Sequence, residues 1–123
     1  MIDKSANCRA LTVLCAAADP ARLAALKRAA VAAEWEVVGG ASSIDDLLVQ
    51  LAERRPNVLV LDSGLGEDAA LRARTIVPHA RIVSLGPLPG ADAVATALER
   101  IRDAIVDVRE ARPGEERPSP EAV

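Results

Sequence analysis

At 123 residues, the chain has the length of one domain, large enough to bury an ordinary core without disulfides or a structural metal. Half of its residues are apolar, Trp35 is its only aromatic residue, and its net charge is −3, which leaves little stacking surface for bases and no electrostatic basis for binding nucleic acid or an anionic membrane. Cys8 and Cys15 are the only cysteines, and the sequence has neither a signal-peptide core nor an apolar run long enough to cross a bilayer, so a reduced, cytoplasmic protein without membrane insertion is expected.

In chain order, residues 1–9 are polar and read as an N-terminal tail. Ala10-Leu11-Thr12-Val13-Leu14-Cys15-Ala16 then reads as a buried strand. Asp19 is placed to cap a helix with Pro20 at its first position, and Leu23, Leu26 and Ala30 carry an apolar stripe to about residue 33. A second strand is expected over 36–39. Ser43-Ile44-Asp45-Asp46 resembles a capping box with Asp in place of the usual Glu or Gln, and Ile44, Leu47, Leu48 and Leu51 are spaced to face one side of a second helix. Arg54-Arg55-Pro56 stops that helix.

The run Asn57-Val58-Leu59-Val60-Leu61-Asp62-Ser63-Gly64-Leu65-Gly66 is the most informative stretch. Four branched apolar residues in succession have the composition of a strand covered on both faces, as in a parallel α/β sheet. An Asp at the carboxyl end of such a strand points into the crevice where open α/β sheets place their ligands, which makes Asp62 the first candidate site residue. A loop over 63–68, a short helix over 69–76 and a fourth strand over 80–85 follow. The turn Gly86-Pro87-Leu88-Pro89-Gly90 leads into a final helix expected over 91–108. This βαβαβαβ order requires a parallel sheet with right-handed crossovers. The folded domain is therefore expected over 10–108. Residues 109–123, with three prolines and mixed charges, read as a disordered tail, with a short recognition segment as the alternative.

The arrangement resembles a response-regulator receiver domain of the CheY-like family. The resemblance is carried by Trp35-Glu36-Val37-Val38-Gly39-Gly40-Ala41-Ser42-Ser43, the helix after it, and Arg55-Pro56-Asn57-Val58-Leu59-Val60-Leu61-Asp62-Ser63-Gly64-Leu65, and it runs over about residues 11–85. It implies a flavodoxin/CheY-like three-layer sandwich around a parallel sheet, with Asp62 at the phosphoacceptor position. It further implies two acidic residues after the first strand that hold Mg²⁺, a Thr or Ser at the end of the fourth strand, and a Lys at the end of the fifth. An aspartyl phosphate carries excess negative charge that the metal and the Lys neutralise, while the hydroxyl turns to bind a phosphoryl oxygen.

This set is broken here. The acidic pair falls on Ala17 and Ala18, with Asp19 next to them; the hydroxyl position falls on Gly86, with Ser84 two residues earlier; and no lysine follows Lys27. The expectation is a degenerate pseudo-receiver with no cofactor and no metal, in which Asp62 is not phosphorylated. The alternative is a working phosphoacceptor in which Asp62 is helped by Asp19 and Ser84, with a weak Mg²⁺ site between Asp62 and Asp19.

Between the fourth strand and the last helix the sequence leaves room only for a turn, so a truncated, four-stranded sheet is expected, lacking the fifth strand and the helix before it. An extended Ile105-Val106-Asp107-Val108 is the alternative. A bare apolar edge at strand four invites cover by another chain. Val94, Leu98, Ile101, Ile105 and Val108, spaced alternately four and three residues apart, form a coiled-coil-like seam widened by Ala97 and Ala104. With Ile82 and Leu85 they are the expected interface of a homodimer; packing of the same stripe on the chain's own sheet is the other reading.

The remaining motifs carry less. Cys15 to Arg22 is one residue longer than a phosphatase loop and has no glycine between, so Cys15 reads as a small buried apolar residue. His79 has no ligand-type neighbours and reads as a surface residue. Gly39-Gly40 and Gly64-x-Gly66 read as turns, Asp45, Asp46, Glu67 and Asp68 as caps and solvated charges, and Arg72 and Arg74 as a solvated helix face. The expected function is a non-catalytic, receiver-like signalling or adaptor protein that binds protein partners. Docking with an ATPase or a membrane-associated assembly is one form this could take.

Overall fold

The computed structural model describes residues 11–109; the tails expected at each end, and Cys8, lie outside the described residues. The elements in order are β1 (Leu11–Ala16), α1 (Pro20–Ala30), β2 (Trp35–Ala41), α2 (Ile44–Arg54), β3 (Val58–Asp62), a 3₁₀ turn (Ser63–Leu65), α3 (Ala69–Ile76), β4 (Arg81–Leu85), β5 (Ala93–Ala95), a second 3₁₀ turn (Leu98–Arg100) and α4 (Ile101–Arg109). The strands form one parallel sheet in the order β2-β1-β3-β4-β5. This is the doubly wound flavodoxin-like order.

Local chemistry sets the helix starts. Asp19 caps α1 by accepting from the Arg22 backbone N–H at 3.2 Å, with Pro20 in the first turn. Ser43 caps α2 by accepting from the Asp46 N–H at 3.1 Å. Arg55 ends α2 in the left-handed region at φ 45°, and Pro56 then prevents continuation.

Alternation along the strands divides the core between the two faces of the sheet. Val13, Cys15, Val58, Val60, Val83 and Leu85 pack against Leu26 and Ala30 of α1 and Ile101, Ala104, Ile105 and Val108 of α4. Leu14, Leu59, Leu61 and Ile82 pack against Leu47 and Leu51 of α2 and Ala69, Ala70 and Ala73 of α3. Small alanines on α3 let that helix lie close to the sheet. At about 1.5–3 kcal/mol for each fully buried large aliphatic side chain, these two layers supply the main drive for folding.

Two expectations need correction. A fifth strand is present, at Ala93–Ala95 rather than at 105–108, and the last helix is correspondingly short: residues 105–108 are helical, and α4 starts only at Ile101. Alanine-rich residues 91–97 favour a helix intrinsically, but tertiary pairing wins. Ala93, Val94 and Ala95 satisfy the open edge of Val83, Ser84 and Leu85, and the Gly86 N–H donates to the Ala95 carbonyl at 3.0 Å. Asp92 fixes the register: its N–H donates to the Ile82 carbonyl at 2.7 Å, its Oδ2 accepts from the Ile82 N–H at 2.8 Å, and Arg74 pairs with it at 3.0 Å. Among the described residues no helix lies between β4 and β5; the connecting loop instead buries Leu88 on the α2/α3 side.

The second correction concerns the expected dimer seam. Its members do not share a helix face: Val94 sits on β5 and is 49% exposed, Leu98 lies in a 3₁₀ turn and is partly buried, and Ile101, Ile105 and Val108 form the inner face of α4. Ile101, Ile105, Val108, Ile82 and Leu85 are all buried within this chain. The stripe that could serve a seam is spent on the chain's own sheet.

Candidate functional site

The parallel arrangement brings the carboxyl ends of β1, β3, β4 and β5 to one lip of the sheet. Asp62 stands there as the last residue of β3, next to the point where the strand order reverses between β1 and β3. It is buried, with 7% of its surface exposed. Both carboxylate oxygens are engaged. Oδ1 accepts from Arg22 Nε at 2.9 Å, and Oδ2 accepts from the Gly64 N–H at 3.1 Å, so Asp62 also caps the 3₁₀ turn that follows it. A Cβ on Gly64 would lie 2.8 Å from Asp62 Oδ2, so only glycine lets the turn close on the carboxylate.

Arg22 reaches this position from the first turn of α1, where its own N–H is held by the Asp19 cap. Its side chain is half exposed, against 10% for that of Asp62. The result is a carboxylate withdrawn from water and neutralised by a guanidinium that still touches water. Sequence reasoning missed this role for Arg22. The available signal was the Asp19-Pro20 cap, which starts α1 at the end of β1 and so points its first turn at the crevice.

The other lip residues are equally fixed. Ser84 is fully buried and its hydroxyl donates to the Gly86 carbonyl at 2.6 Å; in the sheet register it stands opposite Leu61, while Leu85 stands opposite Asp62. Ser84 is thus turned into the backbone. Gly86 adopts φ +89°, and a Cβ there would meet Ser63 Oγ at 2.7 Å, so the expected switch position has neither a side chain nor room for one. Thr96 follows β5 directly, where the resemblance asks for a lysine. Arg22, Ser63, Gly86 and Thr96, with Leu85 and Leu98, line a shallow cleft of about 290 Å³.

A magnesium ion does not fit these residues. Ala17 and Ala18 offer methyl groups, the former fully buried. Asp19 spends Oδ2 on the α1 cap, and both Asp62 oxygens already accept hydrogen bonds. Mg²⁺ demands near-octahedral oxygen ligands, and among the described residues no cluster of three or more His, Cys, Asp or Glu is placed to hold a metal.

The remaining sequence candidates lie elsewhere. Cys15 is fully buried in the core on the α1/α4 side, and burial pushes its thiol up to about 12, against a smaller opposing pull from Lys27. It is therefore a protonated thiol at neutral pH, far from a nucleophilic thiolate. His79 is exposed in the loop before β4. Gly39 and Gly40 lie within β2 rather than in a turn, Gly40 where a Cβ would sit 3.2 Å from both Leu23 and Lys27 of α1. Arg74 is not simply solvated, since it ties α3 to the β4–β5 loop through Asp92 and the Gly90 carbonyl.

No protein-family model matches the sequence, and no curated protein does. Solved structures do. The isolated receiver domain of RcsB from Salmonella enterica serovar Typhimurium in its apo form superposes with a TM-score of 0.69 at 18% identity, over 84% of this chain and 90% of that one. The chain has the receiver fold. A CheY-like receiver domain protein from Methanospirillum hungatei JF-1 (TM-score 0.65, 19% identity, 82% and 92% of the two chains) and the receiver domain of the putative response regulator NarL from Mycobacterium tuberculosis (0.63, 20%, 84% and 98%) are similar in the same way. Among the described residues no helix is long and apolar enough to cross a membrane.

Proposed function

We propose that this receiver-fold chain is a non-catalytic signalling module that works without phosphorylation, through contacts with protein partners. The observation that carries the reading is the 2.9 Å pair between Arg22 Nε and Asp62 Oδ1. A phosphoacceptor carboxylate must present a free oxygen to the phosphorus, and its product needs more positive charge than one guanidinium supplies. Here both carboxylate oxygens already accept hydrogen bonds, one of them from that guanidinium. The acidic pair is Ala17 and Ala18, and Thr96 stands where a second cation would be needed. The working-phosphoacceptor alternative requires Asp19 and Ser84 to assist, and Asp19 Oδ2 is engaged in the α1 cap while the Ser84 hydroxyl donates to the Gly86 carbonyl.

The test is intact-mass spectrometry after incubation with Mg²⁺ and acetyl phosphate. The expected result is an unchanged mass. Addition of one phosphoryl group that Asp62→Asn abolishes would overturn the reading and install the phosphoacceptor one.

A further inference from the structure

The C-terminal half of α1 and the second 3₁₀ turn flank an open groove of about 510 Å³, lined by Arg28, Ala29, Val31, Leu98, Glu99 and Arg102. Its floor is apolar. Val31, at the end of α1, is 58% exposed and is among the most exposed large apolar residues described, while Ala29 and Leu98 are partly buried against the core behind it. Its rim is basic. Arg28 and Arg102 are both exposed and, like Arg54, Arg55 and Arg72, make no ion pair among the described residues. Glu99 is the single acid on the rim and lies beyond ion-pair distance of both guanidinium groups.

Two guanidinium groups without an acidic partner thus flank an apolar floor on a chain whose net charge is −3. Guanidinium groups recognise carboxylates by paired hydrogen bonds, and their stems pack against aliphatic side chains. We infer that this groove is a docking site for a segment of a partner protein in which an aliphatic side chain is flanked by carboxylates, the aliphatic group seated on Ala29, Val31 and Leu98 and the carboxylates on Arg28 and Arg102. The inference rests on the proposed partner-binding function and names the chemistry of the partner. Charge complementarity selects this occupant: a second copy of an acidic chain would have to bring an acidic patch to the same rim, and a basic segment would be repelled.

The helices that border the site, α1 and α4, are braced by Leu26, Ala30, Ile101 and Ile105 packed on the same face of the sheet. Binding therefore requires no change at Asp62. Trp35 lies just behind the groove: its indole N–H donates to the Ala30 carbonyl at 2.6 Å, one residue from both Ala29 and Val31.

The experiment is fluorescence anisotropy with two labelled synthetic peptides, one of alternating Glu and Leu and one of alternating Lys and Leu. It is run on the full chain with and without prior treatment with Mg²⁺ and acetyl phosphate. The Glu-Leu peptide is expected to bind untreated protein, more weakly as salt rises, and the Lys-Leu peptide is not. Arg28→Glu and Arg102→Glu, both on exposed side chains, are each expected to weaken binding by roughly tenfold, with unchanged circular dichroism. Equal binding of the two peptides, indifference to both substitutions, or no binding in either condition would overturn the groove assignment and leave the Asp62 reading intact. Binding that appears only after phosphodonor treatment would keep the groove and overturn phosphorylation-independence. Strengthened binding after removal of residues 110–123 would identify the chain's own tail as the occupant and overturn the assignment to a partner protein.

Discussion

Removing the Arg22 guanidinium while keeping its aliphatic stem, as in Arg22→Met, isolates the pair with Asp62. The carboxylate is 10% exposed and keeps only the Gly64 N–H, so one oxygen loses its partner in a nearly dry site. A hydrogen bond to a charged group is worth about 1.5–3 kcal/mol. An ion pair between two fully exposed side chains is worth about 0.2–1 kcal/mol. With one partner buried and the other half in water, the coupling belongs between these limits, at about 1–2 kcal/mol. For a domain of this size about 1 kcal/mol moves the melting point by roughly 4–8 °C, so Arg22→Met should lower Tm by roughly 5–10 °C.

Trp35 is a convenient reporter, being the only aromatic residue and 6% exposed; its emission follows the melt without a label. Asp62→Asn should cost less than Arg22→Met, because the amide oxygen still accepts from the Gly64 N–H and the released Arg22 is solvated. In the Asp62→Asn background, Arg22→Met should then cost almost nothing. If Arg22→Met lowers Tm equally in both backgrounds, the guanidinium acts through something other than Asp62 and the account of the crevice fails.

Three further outcomes follow from the core and the lip. The raised Cys15 thiol contributes stability that is complete below about pH 9.0, the ordinary value, and is lost as pH rises toward about 12; denaturant midpoints should therefore fall across that window, and Cys15→Ala should flatten the fall. In a Cys8→Ser background the same thiol should react with a chromogenic disulfide only at the rate of unfolding, and fast reaction in buffer would contradict its burial. Gly86→Thr, which restores a hydroxyl residue at the expected switch position, should destabilise by roughly 1–3 kcal/mol through its positive φ and its contact with Ser63 Oγ at 2.7 Å. Ser63→Gly should relieve part of that cost, and a Gly86→Thr protein as stable as the parent in urea would refute the strain argument.

The parts of the fold that are legible in the sequence are those where local chemistry and tertiary structure agree. The continuous apolar run before Asp62 has the composition of a central parallel strand and forms one, and the caps at Asp19 and Ser43 form as their spacing implies. β5 is illegible for the opposite reason. Three residues with one β-branched member carry no strand signal, and their pairing depends on Asp92 gripping the Ile82 backbone. The α4 stripe is ambiguous in principle, since a heptad seam and a core-facing stripe share the same period over two turns. At the site, Asp62 could be located because strand ends are predictable, whereas Arg22 pairs with a residue forty positions away. Only the Asp19-Pro20 cap, which puts Arg22 in the first turn of α1, sets it apart from Arg28, the other arginine of that helix.

The same contacts give Asp62 a role in the fold that does not depend on its expected companions. One oxygen anchors α1 to β3 through Arg22 and the other closes the turn onto Gly64, so the carboxylate has a structural role whether or not it meets phosphate. A ligand can shift a conformational equilibrium only if it binds two states with different affinity. At this lip Ser84 is bound to its own strand end, Gly86 has no side chain to move, and the charge that a phosphoryl group and its metal would rearrange is already balanced by Arg22. On the proposed reading, a crevice so braced offers a phosphodonor no second arrangement to select. On that reading the signal lies in the partner's side of the equilibrium, and the proposed basic-rimmed groove between α1 and the turn before α4 is the surface that would read it.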